Sequence, residues 1–444
     1  MDHLGALAAH AAEAVPPEDV RAKAALVLAD TLAAIVGGSA EAEVQALTER
    51  LSSSASGAAL VIGPGQRTGQ KTAALLNGTA GTALEMDEGH QFCKGHPAIH
   101  VIPAVLAAAA ESRPSGQAIL SAIAVGYEAA ARVGIATQLR PSMHPHGTWG
   151  AIGAAAAVLR LQGASEAEIR DGMNMAASLG LSTSRRTMLE GGTVRNIFAG
   201  VSNQMGLMVA DLVATGFSGD TEGVAHVFGQ VVSDRFDPCA LTDDLGHRWE
   251  IMRNYFKLHA CCRFNHAALD ALDLLLADTP DIVPEDIAEI IVQTYGLAVE
   301  LDDAAPRNVL AAKFSVPFAM AARLITGAST VESFSAKRVG DKAILALASR
   351  VRVVVDPSMT AQIPSQRPAQ VTVVMRDGRR LSASTGTNRG DWADPFTEGE
   401  VHGKYMSLTA RAWSREKSQE VWEAALTLDN GDGAAFLDLL ARPS

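Results

Sequence analysis

Aromatic side chains are scarce in this chain: only 5% of its 444 residues are Phe, Trp or Tyr. The 48% apolar content must therefore pack mainly through alanine, leucine and valine, which favours closely packed helices. Positive charge is also short. A formal net charge of −12 excludes the basic field that nucleic acid or an acidic membrane surface requires. Cysteine is limited to Cys93, Cys239, Cys261 and Cys262, and none forms a CxxC pair. That excludes a disulfide framework and fits a reducing compartment. The opening MDHLGALAAH lacks the basic and long apolar regions of a signal peptide. No apolar run is read as approaching the roughly 18 residues a membrane helix needs. A cytoplasmic protein with no membrane partner is expected.

What is present is alanine-rich helical patterning. Two helices are expected over residues 1–50, broken at Pro16-Pro17. Residues 51–68, rich in Ser and Gly, read as a loop with a short strand at AALVIG. The following GPGQRTGQKT fails the phosphate-loop pattern because Gln70 separates Gly69 from Lys71. Helices are predicted near 98–111, 115–140, 147–162 and 199–214, with a Ser165/Glu168 capping box opening another. Beyond Pro280 the pattern changes. AEIIVQTY, RVRVVV and QVTVVMRDGRRLSAS read as strands, with Asp377-Gly378 as a hairpin turn. The chain is therefore expected to be mainly α. A large all-helical domain takes 1–268 and 397–444, and a smaller α+β domain takes 269–396.

The densest chemistry lies in NGTAGTALEMDEGHQFCKGHPAIHVIP, residues 77–103, which holds Glu85, Asp87, His90, Cys93, Lys94, His96 and His100. Loops on a rigid scaffold are common places for catalysis. His90, Cys93, His96 and His100 match no closed zinc spacing, and Lys94 sets a cation among them, so no metal is expected. Three more turns carry similar groups: His144 and His146; Arg185, Arg186 and Arg195; and Lys257, His259 and Arg263. Removing a proton beside a carboxylate needs a base that works near neutral pH and fixed cations for the developing charge. Histidine suits the first task, and lysine or arginine the second.

Several segments together resemble the MmgE/PrpD family. They are NGTAGTALEMDEGH, GHPAIHVIPAVLAAAAE, GYEAAARVG, HPHGTWGAIGAAAAV, KLHACCRFNHAALDAL, KFSVPFAMAARLITG and NRGDWADPFTEGEVHGKY, in the family's order and over nearly the whole chain. The resemblance implies an all-helical domain joined to an α+β domain, usually in a homodimer, with no cofactor and no metal. The family's chemistry covers dehydration of 2-methylcitrate, decarboxylation of cis-aconitate and epimerisation of iminodisuccinate. Its site positions correspond here to Asp87, His96, His144 and Lys257. Arg195 stands where the family has a lysine, so it is expected to bind carboxylate rather than carry a proton. His146 replaces the family's usual threonine and adds a second candidate base. Glu85 and Lys94 complete the candidate site.

GHQFCKGHPAIHVIP is most similar to the epimerising members. The expectation is a cofactor-independent epimerase acting on an iminodisuccinate-like amino polycarboxylate. His96, His144 and His146 would handle protons, Asp87 would orient a histidine, and Arg195, Lys94 and Lys257 would hold carboxylates. A 2-methylcitrate-type hydro-lyase is the alternative enzyme, and a non-catalytic polycarboxylate-binding protein is the alternative from another class.

Overall fold

Pro16 and Pro17 end the first helix, His3–Glu13, and Glu18 opens the next, Glu18–Ser39. The computed structural model describes residues 2–52 and 56–443; residues 53–55, in the expected 51–68 loop, lie outside that description. The fold is mainly α with a smaller α+β part. Two units are distinct. The first comprises Met1–Arg185, Val194–Tyr255 and Thr397–Ser444, and the second Arg186–Thr193 and Phe256–Phe396.

In the first unit the helices Gln70–Ala83, Pro97–Ser112, Gly116–Ala136, Gly150–Leu161 and Phe198–Ala214 pack on one another. Their touching faces are largely alanine and glycine. Gly126 and Gly153 permit one such close approach, since a Cβ on either would lie within 2.7 Å of the other's carbonyl oxygen. Ser165 and Glu168 form the expected capping box. Two stretches, Gly116–Ala136 and Thr193–Ala214, are long and apolar enough to cross a membrane by length and composition. This corrects the expectation that no apolar run reaches that length. Gly116–Ala136 is apolar because most of it is buried inside the protein.

In the second unit a four-stranded sheet runs in the order Arg380–Thr385, Ala369–Met375, Ile287–Thr294, Val351–Val355. The first two contacts are antiparallel and the last is parallel. The parallel pair needs a crossover, and the helices Val316–Thr326 and Lys342–Ala348 lie within it. Helix Arg263–Asp278 packs on the sheet. The division falls after Tyr255, ahead of the expected 268/269 boundary, which would cut that helix. The helix carries the same apolar periodicity as those of the first unit, so sequence pattern assigned its start to the wrong side. Segment Arg186–Thr193 also belongs to the second unit, where Asn308 Nδ2 donates to Gly191 O at 2.8 Å.

Candidate active site

The acid- and histidine-rich segment leaves the Gln70–Ala83 helix through Glu85, whose φ of 58° is left-handed. For a non-glycine residue that conformation costs about 1 kcal/mol or more. The chain then folds back. Gly89–His90 pairs with Asn254–Tyr255, and His90 bridges to Gly95. Gly89 is required here because a Cβ would meet the Tyr255 hydroxyl at 2.4 Å. Pro97 begins the next helix and leaves His96 at its N-cap.

His96 Nδ1 lies 2.9 Å from Asp87 Oδ2 and 2.6 Å from Glu88 O. Both are acceptors, so Nδ1 carries a proton. The His146 ring centroid is 4.7 Å from that of His96 and 4.9 Å from those of His100 and His144. Arg195 Nη2 donates to His146 Nε2 at 3.5 Å. A guanidinium can only donate, so the His146 proton sits on Nδ1. Arg195 also pairs with Glu85 through Nη1. His144 Nδ1 accepts the His146 N–H at 3.1 Å, which leaves its proton on Nε2. Burial first, then the nearby Arg195, hold His144 and His146 well below the usual imidazole range, so both are neutral at pH 7.

Asp87, Glu85, His96, His144, His146 and Arg195 are therefore gathered, all buried, in the first unit. Lys94 is not among this buried group. It is exposed at the end of the 91–94 turn, with φ 58°. Lys257 is buried in the second unit, on the segment ahead of Arg263–Asp278. Two histidines of the 77–103 segment have other work. His90 Nε2 lies 3.2 Å from Glu250, and its Nδ1 accepts the Cys93 N–H. His100 Nδ1 donates to His96 O at 2.8 Å and its Nε2 accepts from Gly147 N at 3.3 Å, while burial lowers it to about 4.

Two supporting residues escaped the sequence reading. Glu88 caps the Pro97–Ser112 helix through Ala98 N (2.8 Å) and accepts from the Tyr127 hydroxyl (3.1 Å). Burial pushes its carboxyl up to about 8. Its one sequence signal was a second acid beside Asp87. Thr183 Oγ1 bonds the carbonyls of His144 and His146 at 2.7 and 2.9 Å and so fixes that turn. Nothing local marks Thr183, which acts across 39 residues.

A buried carboxylate–imidazole pair beside further neutral imidazoles and a guanidinium has the chemical groups that acid–base work on an anion requires. The family models for the MmgE/PrpD N-terminal domain and the MmgE/PrpD C-terminal domain match residues 2–237 and 259–430, and the chain belongs to this family. A cis-aconitate decarboxylase-like protein (oryM) of Aspergillus oryzae is 26% identical, with 96% of this chain and 94% of that protein covered. A cis-aconitate decarboxylase of Aspergillus terreus is 24% identical over 96% of this chain and 93% of its own length. The named relatives are thus lyases, which matches the alternative enzyme class rather than the expected epimerase.

Proposed function

We propose that this chain is a cofactor-independent lyase acting on a small polycarboxylate, by proton transfer at a carbon next to a carboxylate. The observation that carries the reading is the Asp87–His96 pair with His146 4.7 Å away and Arg195 beside it. Glu88 O sets the His96 tautomer through Nδ1, Asp87 orients the ring, and His96 Nε2 accepts or returns the proton at carbon. His146 Nδ1–H, with His144 Nε2–H, supplies the second proton. Arg195, oriented by Glu85, holds a carboxylate. Lys257 is added as a carboxylate contact on the strength of the family resemblance. In an elimination, the C–H electron pair becomes the new double bond and hydroxide leaves with the His146 proton. In a decarboxylation, the bond to the departing CO2 breaks and its electron pair is taken up through a proton delivered to carbon. The names of the relatives favour the second form.

One observation favours epimerisation of an iminodisuccinate-like substrate as a second reading. His96 and His146 are two separate rings 4.7 Å apart, so one can take a proton at Nε2 while the other gives one from Nδ1. A cytoplasmic homodimer accompanies both readings.

Proton NMR in deuterated water with a panel of di- and tricarboxylates tests the proposal. A lyase gives an alkene product with release of CO2 or water. An epimerase gives inverted, deuterium-labelled substrate with no new alkene. Binding without turnover of any panel member would leave a carboxylate-binding protein and end the enzymatic reading.

A further inference from the structure

Three of the buried side chains also make a metal-ligand set. Asp87, His96 and His146 each offer one donor atom, and the three atoms lie within 4.8 Å of one another. Their exposures are 0%, 8% and 1%. His146 Nδ1 is buried and has no hydrogen-bond partner among the described residues. One carboxylate and two imidazoles with a fourth position left over is the donor set of an open zinc site. Donor atoms around tetrahedral zinc lie roughly 3.3 Å apart, given bonds of about 2.0 Å, so closing the set requires the His146 ring to rotate and to present a nitrogen released from the Nδ1 proton or from the Arg195 contact at Nε2.

We infer that Asp87, His96 and His146 form an inhibitory binding site for a divalent transition-metal ion. The ion engages both imidazoles that the proposed proton transfer uses, so metal binding and turnover exclude each other. The word inhibitory rests on the proposed function; the binding site rests on geometry alone. This is not the His90, Cys93, His96 and His100 string weighed from the sequence. There, His90 is paired with Glu250 and both His100 nitrogens are bonded.

The test is a Zn2+ titration of the full chain followed by equilibrium dialysis, elemental analysis and thermal melting. It is run in a Cys239→Ala background, because the exposed Cys239 Sγ lies 3.8 Å from His3 Nε2 and forms a competing surface pair. One zinc per chain is expected, with a rise in melting temperature. Asp87→Asn and His146→Gln should each weaken binding at least about tenfold, while the exposed His226→Ala should leave it unchanged. Circular dichroism identifies a variant that fails to fold, and the other variant then decides. Binding that is substoichiometric, or equally tight in both site variants, overturns the site. Stoichiometric zinc with full turnover overturns only the inhibition. An enzyme inactive on every substrate but still binding zinc counts against the proposed reaction and leaves the metal site standing.

Discussion

Two groups of buried histidines occur in this protein, one in each unit, and they differ in what their ring nitrogens have left to offer. In the second unit, His259 lies between Asp270 Oδ1, 3.0 Å from Nε2, and the Ser329 hydroxyl at Nδ1. His266 accepts from Arg263 at 2.9 Å on Nδ1 and donates from Nε2 to Cys261 O at 3.3 Å. Every ring nitrogen is committed. In the first unit His100 is equally committed, but His96 Nε2 and His146 Nδ1 have no hydrogen bond among the described residues. Burial does not separate the groups, since burial holds both His266 and His146 well below the usual range. Unused hydrogen-bonding capacity separates them. A buried imidazole with both nitrogens bonded is a strut, and one with an open nitrogen is available to a substrate.

The largest effect should follow from emptying the open nitrogen. His96→Gln is expected to lower kcat by about 10²–10⁴-fold, the usual contribution of a positioned acid–base group, with the thermal midpoint nearly unchanged. His266→Leu should do the reverse. It strands the Arg263 donor at a cost of about 1–3 kcal/mol in stability, while kcat per folded molecule stays near wild type. Steady-state kinetics and urea unfolding on both variants check this, and a large kcat loss in His266→Leu alone would break the comparison.

Arg195 mixes the two roles. It faces His146, yet it also balances the buried Glu85. Removing one member of a buried ion pair leaves the other charge uncompensated, so Arg195→Met should destabilise by about 3–5 kcal/mol. The double variant Arg195→Met/Glu85→Leu should recover much of that stability and none of the activity. Denaturant melts of the single and double variants, with turnover measured on the folded fraction, distinguish scaffold from site.

These contrasts also mark what could be read without coordinates. The helices Pro97–Ser112, Gly116–Ala136 and Gly150–Leu161 lie within a few residues of their predicted spans, apart from the C-terminal end of the second. Alanine-rich periodicity and flanking Gly or Pro are local signals. The hairpin at Asp377-Gly378 was legible for the same reason, and Gly378 has φ 90°. The residue types of the site were legible because they crowd into glycine- and proline-marked turns. Their proton states were not. Those depend on Glu88 O reaching His96, on Arg195 reaching His146 across 49 residues, and on Thr183 holding the His144 turn. The start of the second unit was missed because one helix pattern runs through both sides of it.

Glu88 supplies a pH-dependent test of the scaffold beneath His96. Its carboxyl is raised from 4.5 to about 8 by burial, against the opposing hydrogen bonds of Ala98 and Tyr127 and with Asp30 and Asp87 adding to the rise. The folded protein therefore keeps a proton that the unfolded chain releases. Its contribution to stability is fully present below about pH 4.5, falls as pH rises and is lost by about pH 8, with a slope of at most about 1.4 kcal/mol per pH unit. Glu88→Gln should flatten the fall in urea midpoint between pH 5 and 8. An unchanged pH profile would mean that Glu88 does not hold its proton in the folded state.

The smallest predicted effect concerns two residues of one segment, Glu85 and Lys94, which share a φ of 58°. Both backbones bear the left-handed strain that glycine relieves, about 1 kcal/mol. Lys94 is exposed at its turn, whereas Glu85 is buried against Arg195. Lys94→Gly should thus raise stability by up to about 1 kcal/mol and leave kcat within about twofold if its ammonium is not used. A rise in KM with unchanged kcat would instead make Lys94 a carboxylate contact. Glu85→Gly relieves the same strain but strips Arg195 of its carboxylate, so it should destabilise on balance and impair turnover. The same φ with opposite outcomes would locate the value of Glu85 in its side chain, which is where a site residue must have it.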